Sequence, residues 1–217
     1  YRINESYKQL RTNIEFSGEE NKIIAVTSCT PSEGKSTVSL STAYSLAEAG
    51  KKVLFIDADL RKSVLTGRYK ISGEMKGLTH FLSGQGDLSE ILCKTNEKGL
   101  FVIFAGPVPP NPAELLGSKK FAALLKEARN IYDYIIIDTP PLGSVIDSAI
   151  VSAVCDAAIL VISANTISYK FARSVKDQLA KTGCNILGVV LNKVSMKQNK
   201  YYGKYYGKYY GHYGSDK

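Results

Sequence analysis

Short, wholly apolar runs recur along this chain with helical stretches between them, and that alternation restricts the folds open to it more than any other feature. Residues 22–28 (KIIAVTS), 52–56 (KVLFI), 100–104 (LFVIF), 134–137 (YIII), 157–162 (AAILVI) and 186–191 (ILGVVL) have strand length and carry β-branched residues. Residues 34–50 place small and apolar side chains at helical spacing and end at a glycine; helices are also expected near 112–131, 145–155 and 168–182, the first opened by Asn111-Pro112. A strand that is apolar on both faces needs cover on both faces. The expected fold class is therefore α/β, a mostly parallel central sheet with helices on both sides. Ligands of such sheets bind beyond the carboxyl ends of the strands. The segments to inspect are then 28–36, 57–61, 138–141 and 192–193.

After the first run comes Cys29-Thr-Pro-Ser-Glu-Gly34-Lys35-Ser36-Thr37, opening a helix. This is the order of a Walker A phosphate loop except that Cys29 stands where glycine is usual. Backbone N–H groups of Ser32, Glu33, Gly34, Lys35, Ser36 and Thr37 form an anion nest at a helix N-terminus, where the dipole favours phosphate. Lys35 would reach the β- and γ-phosphates of ATP, and Ser36 would ligate Mg2+. The second run ends Asp57-Ala-Asp59-Leu-Arg61, with two carboxylates at i and i+2 beside the nucleotide position. The 134–137 run ends Asp138-Thr-Pro-Pro141, where an acid suits the Walker B role. Each acid alone reads equally as a helix cap or a solvated strand end; three of them converging on one Lys and one Ser read as a site. Asn192-Lys193 ends the last run, either as a purine-binding amide or as a simple turn. Cys29 reads as a packed small residue, and His80 and His212 as surface residues.

The chain of 217 residues is long enough for one sizeable domain, and 44% apolar with 22% charged residues is ordinary globular usage. No apolar run approaches the roughly 20 residues of a membrane span, and no stretch reads as a signal peptide. Cys29, Cys93, Cys155 and Cys184 show no metal or redox spacing, as expected of reduced thiols in cytosol. The net charge of +8 is uneven: from Lys193 onward six lysines face only Asp216. A body at 1–199 is therefore set apart from a tail at 200–217, which repeats Lys-Tyr-Tyr-Gly and holds Tyr201, Tyr202, Tyr205, Tyr206, Tyr209, Tyr210 and Tyr213, seven of the chain's 14 tyrosines. Glycine at every fourth position opposes helix, so a flexible segment is expected. Composition leaves it open as a solubilising terminus, a single-strand stacking surface or a cluster of phosphate acceptors. At the other end, Glu5, Lys8 and Arg11 share one side of a helix, either as local ion-pair support worth roughly 0.2–0.5 kcal/mol or as a contact between molecules.

Taken together, the Gly34-Lys35-Ser36 loop, Leu54-Phe-Ile-Asp-Ala-Asp-Leu-Arg61, Ile135-Ile-Ile-Asp-Thr-Pro-Pro141, Pro110-Asn-Pro-Ala-Glu-Leu-Leu116, the Glu5/Lys8/Arg11 helix and the terminal tyrosines resemble the bacterial tyrosine kinases of capsular and exopolysaccharide synthesis, in their stand-alone cytosolic Gram-positive form. The resemblance spans nearly the whole chain. It implies a P-loop NTPase-like fold and ATP-dependent autophosphorylation of the tail tyrosines, in trans within a ring-like homo-oligomer. Carried onto this sequence, Lys35 binds phosphates, Ser36, Asp59 and Asp138 hold Mg2+, Asp57 faces the acceptor hydroxyl, and Glu5, Lys8 and Arg11 mediate oligomerisation. Lys35, Asp57 and Asp59 form the catalytic set; Arg61 belongs to the motif without an assigned role. A transmembrane activator of the polysaccharide co-polymerase kind and a tyrosine phosphatase are the implied partners, no specific nucleic acid is expected, and the protein is placed in the cytoplasm at the inner face of the membrane. Lys8 stands where the family has Arg, removing a bidentate fork.

Two other readings compete. Partitioning and cell-division-site ATPases share the phosphate loop and the aspartates after the second strand, but carry a signature Lys five residues before the phosphate Lys, where this chain has Thr30. A polyanion binder using the Lys/Tyr tail would leave the three aspartates without a purpose.

Overall fold

The computed structural model describes residues 2–68 and 76–195. The tyrosine tail and His212 lie outside the described residues. Seven strands, β1 (Ile23–Ser28), β2 (Val53–Asp57), β3 (Leu92–Lys94), β4 (Leu100–Ile103), β5 (Tyr134–Asp138), β6 (Ala157–Ser163) and β7 (Asn185–Asn192), form one sheet in the order β3-β4-β2-β5-β1-β6-β7. All neighbours are parallel except β3, which runs antiparallel to β4 at the edge.

The double cover that apolar strands demand is visible residue by residue. Ile23, Ala25, Leu54, Ile56, Ile135, Ile137, Ala158 and Leu160 point to one core, and Ile24, Val26, Val53, Phe55, Ile136, Ile159 and Val161 to the other. Helices α1 (Arg2–Glu15) and α2 (Lys35–Glu48) close the second core through Ile14, Val38 and Leu46. The first is closed by α4 (Leu78–Leu82), α5 (Leu88–Ile91), α6 (Pro112–Leu116), α7 (Lys119–Ile131), α8 (Asp147–Ser152) and α9 (Tyr169–Ala180). A short α3 (Leu65–Arg68) follows β2. No helix among the described residues is long and apolar enough to cross a membrane.

The helix expected over 112–131 is two helices. Gly117 ends α6, and Ser118 starts α7 as a cap whose hydroxyl accepts from the Phe121 N–H at 3.3 Å. The stretch between 57 and 100 holds α3, α4, α5 and β3, all too short to show a period. His80 is half-buried rather than a surface residue: its Nδ1 accepts from the Gly77 N–H at 3.1 Å, holding the start of α4.

Candidate active site at the carboxyl ends of the strands

The sheet order brings the expected site residues to one edge. β5 lies between β1 and β2, so Asp138 is in register with both Val26 and Asp57, and the loop after β1 rises beside them. Lys35, the first residue of α2, turns into this corner. Its Nζ stands 3.0 Å from Asp138 Oδ1, 3.8 Å from Asp59 Oδ2 and 3.2 Å from Ser36 Oγ. All four of Lys35, Asp57, Asp59 and Asp138 are buried.

Burying three carboxylates against one ammonium has electrostatic consequences. Asp57 is pushed up to about 7, first by burial and then by Asp138, against the opposing pull of the Ser63 hydroxyl, the Asp59 N–H and Lys35. Asp138 is also raised by burial, with Lys35, Ser36 and Ser39 opposing. Asp57 is thus a carboxylate whose proton affinity lies near neutrality, held by the Ser63 Oγ–H and by the Asp59 N–H at 3.2 Å. Ser63 belongs to no motif, and nothing in the sequence marks it. Asp59 faces Lys35 and accepts from the Lys62 N–H at 3.0 Å.

The donors present suit Mg2+. Asp138 Oδ2 is buried and has no hydrogen-bond partner, on the carboxylate whose other oxygen meets Lys35. No group of three or more His, Cys, Asp or Glu among the described residues forms a complete metal cage. Two carboxylates and the Ser36 hydroxyl are instead a partial, hard-oxygen set of the kind that Mg2+ would complete with water and substrate phosphates.

The loop is built around a buried acid. Glu33, 2% exposed, accepts from the Thr30 N–H at 2.7 Å and from the Ser163 N–H at 3.1 Å, tying the loop to itself and to the end of β6. Asn192 and Lys193 reach the loop from β7: Asn192 Nδ2 donates to the Glu33 carbonyl at 2.9 Å and Lys193 Nζ to the Ser32 carbonyl at 2.6 Å. Asn192 Oδ1 accepts from the Lys193 N–H at 2.9 Å, so both ends of this amide are engaged locally. Cys29 is fully buried and its thiol is pushed up to about 12 by burial and by Glu33, which makes it packing rather than a nucleophile. Its carbonyl explains Gly143: a Cβ there would stand 2.2 Å from Cys29 O.

Arg61 acquires a partner. Its Nε and Nη2 donate to the two oxygens of Asp147 at 2.7 and 3.0 Å, joining the turn after β2 to the start of α8. Asp147 is fully buried while the Arg61 side chain is 42% exposed. Arg61→Ala strands a buried carboxylate; with the half-exposed partner discounted for solvent, the expected loss is about 2 kcal/mol, or about 4–8 °C in Tm. Adding Asp147→Asn should recover most of that loss in a thermal melt. An Arg61→Ala protein melting with the wild type would show that the pair holds nothing.

The α1 trio divides between the surface and the neighbouring helix. Glu5 and Lys8 pair with each other at 3.0 Å at the surface. Arg11 turns onto α2, donating to the Ser45 carbonyl at 2.9 Å, with its Nε buried and unpartnered.

Residues 21–186 match the AAA domain family. The tyrosine-protein kinase CpsD of Streptococcus agalactiae serotype Ia is 51% identical over 191 residues, 88% of this chain and 82% of that protein. The kinase domain of the Escherichia coli tyrosine kinase ETK superposes with a TM-score of 0.85 at 34% identity, covering 91% of this chain and 78% of that one. The Pyrococcus furiosus cell division ATPase MinD shares the architecture at a lower level, with a TM-score of 0.69 and 26% identity over 82% of this chain and 74% of that one. A phosphate loop, two further aspartate-bearing strand ends and this degree of likeness leave one assignment: the chain belongs to the bacterial tyrosine-protein kinase family within the AAA domain class.

Proposed function

We propose that this kinase transfers the γ-phosphoryl group of ATP to the tyrosines of its own C-terminal segment, in trans within a ring-like homo-oligomer, and so regulates capsular or exopolysaccharide synthesis and export. The observation that carries this reading is the convergence of Lys35 with Asp57, Asp59 and Asp138 beside the phosphate loop. Backbone N–H groups of residues 32–37 receive the phosphates, and Lys35 leaves Asp138 for the β- and γ-phosphate oxygens. Ser36, Asp138 and Asp59 would hold Mg2+, which would supply charge neutralisation across the phosphates. Asp57 takes the proton of the acceptor tyrosine as its oxygen bonds to the γ-phosphorus; the bond from that phosphorus to the bridging oxygen breaks and ADP leaves. A carboxyl pushed up to about 7 is matched to that exchange at neutral pH.

Seven tyrosines interleaved with lysines after Lys193 make a cationic substrate segment for an acid-lined site. The Glu5–Lys8 pair lies at the surface of α1, on the side a neighbouring subunit would meet, whereas Arg11 supports the helix from inside its own chain. The remaining elements of the proposal are a membrane-embedded activator that holds the enzyme at the inner face of the membrane and promotes nucleotide binding, a phosphatase that resets the tail, and nucleic-acid contact limited to salt-sensitive attraction to the lysines.

Incubation with Mg-ATP and detection by anti-phosphotyrosine antibody tests the activity: signal lost in Lys35→Met supports the kinase, and ATP hydrolysis without signal supports a MinD-like switch instead. A tail-truncated active protein should phosphorylate a Lys35→Met protein with an intact tail. Failure of that mixture, with both partners folded, would replace trans transfer by an intramolecular one.

A further inference from the structure

A loop that offers its N–H groups to an anion must direct its carbonyls elsewhere, since an oxygen lone pair facing phosphate repels it. Here two of those carbonyls are held from behind by one strand end. Asn192 Nδ2 takes Glu33 O at 2.9 Å, and Lys193 Nζ takes Ser32 O at 2.6 Å. The close approach shapes the loop itself. Gly34 has φ +92°, a backbone angle that favours glycine, and a Cβ on it would lie 2.1 Å from Asn192 Nδ2 and displace that amide from the loop.

Strain marks the same contact. Among the described residues three non-glycine positions have φ in the left-handed region, and two of them, Ser32 at 65° and Lys193 at 55°, are the two that touch. Such residues persist only where the surroundings over-determine them, and they gather at ligand clamps. The anchor of the strand end is firm: the Ala164 N–H donates to Asn192 O at 2.8 Å, and Glu33 is pinned to the Ser163 N–H. The ends of β6 and β7 and the phosphate loop are thus one tied unit.

We propose that Asn192 and Lys193 are positioning residues for nucleotide binding, a latch that withdraws the Ser32 and Glu33 carbonyls from the anion and keeps the loop formed before nucleotide arrives. The role goes through the loop rather than through the base: the amide of Asn192 bonds the Glu33 carbonyl at one end and the Lys193 N–H at the other. The inference rests on nucleotide binding at residues 32–37, and wild-type protein that fails to bind MgADP would remove that reading first. Against a wild type that binds, the latch stands or falls alone.

The test is titration of fluorescent ADP and GDP analogues with Mg2+ into wild type, Asn192→Ala, Lys193→Met and Lys193→Arg, with KM and kcat for ATP in parallel. Loss of one hydrogen bond to an anion-binding loop is expected to weaken both nucleotides by roughly tenfold in Asn192→Ala and in Lys193→Met. KM for ATP should rise by the same factor while kcat moves less than about twofold, because the loop acts on binding rather than on transfer. Lys193→Arg keeps a donor and should stay within about threefold of wild type. Lys193 is exposed, so Lys193→Met should melt with the wild type when nucleotide-free, which separates positioning from general stability. Unchanged affinity in Lys193→Met overturns the latch. A loss for ADP but not GDP in Asn192→Ala would make Asn192 a base reader and overturn its part.

Discussion

Asp57→Asn is expected to lower tyrosine phosphorylation by about 10²–10⁴-fold, the range a positioned general base supplies, while MgADP affinity stays within about threefold. The side chain is buried in register with Asp138 and is not the residue that pairs with Lys35, so its loss spares the phosphate contacts. It should also make the nucleotide-free protein more stable, and increasingly so as pH rises. Burial and Asp138 raise Asp57 to about 7, above the roughly 3.9 of an unfolded aspartate. The folded state therefore holds a proton that the unfolded state releases between those values, and stability from this group falls as pH climbs through that window. A neutral Asn has no such slope. In the wild type, kcat/KM for ATP should fall as pH drops through about 7, since the base must be ionised in the free enzyme. Wild-type phosphorylation by Asp57→Asn would end the assignment; a pH profile flat from 6 to 8 would end its titration.

The phosphate loop and the two aspartate-bearing strand ends are legible in the sequence because each is a short local pattern placed directly after an apolar run. Their mutual placement is not. That Asp57 faces Asp138 depends on β5 lying between β1 and β2, a pairing between distant segments that leaves no trace in either. Side-chain commitments are hidden for the same reason. Glu33 enters the loop motif only through its backbone N–H, yet its carboxylate is what ties the loop to β6. Arg61 has no role until α8 supplies Asp147. Arg11, spaced to share a side with Glu5 and Lys8, instead bonds α2, because three residues spread over a third of a helical turn reach its flank as well as its crest. The break at Gly117-Ser118 is written in the sequence as a glycine and a capping serine, but the apolar period runs through it. β3, three residues long, is too short for any alternation to register.

Lys35→Met should abolish phosphorylation, and it should also destabilise the protein in a way that depends on pH. Lys35 is 7% exposed and is the cation bonded to Asp138, which is 1% exposed. Removing one partner of a buried pair leaves the other charge uncompensated, at a cost of about 3 kcal/mol near pH 8, or about 6–12 °C in Tm for a domain of this size. Asp138 can escape the penalty by staying protonated, and burial already pushes it up with Lys35 in place. Without Lys35 it rises further, so the deficit relative to wild type opens as pH climbs from the raised Asp138 value of the wild-type fold to the still higher one of the variant. Melting curves at pH 5 and pH 8 should show a small difference at the first and a large one at the second. Adding Asp138→Asn removes the stranded carboxylate and should restore most of the lost Tm while leaving phosphorylation abolished, since the phosphate-binding ammonium is still missing. That double variant is then the sounder acceptor for mixing with tail-truncated enzyme. A Lys35→Met protein as stable as wild type at pH 8 would show that the 3.0 Å contact with Asp138 does not hold in solution, and the corner would have to be rebuilt around a Lys35 that waits elsewhere for the nucleotide.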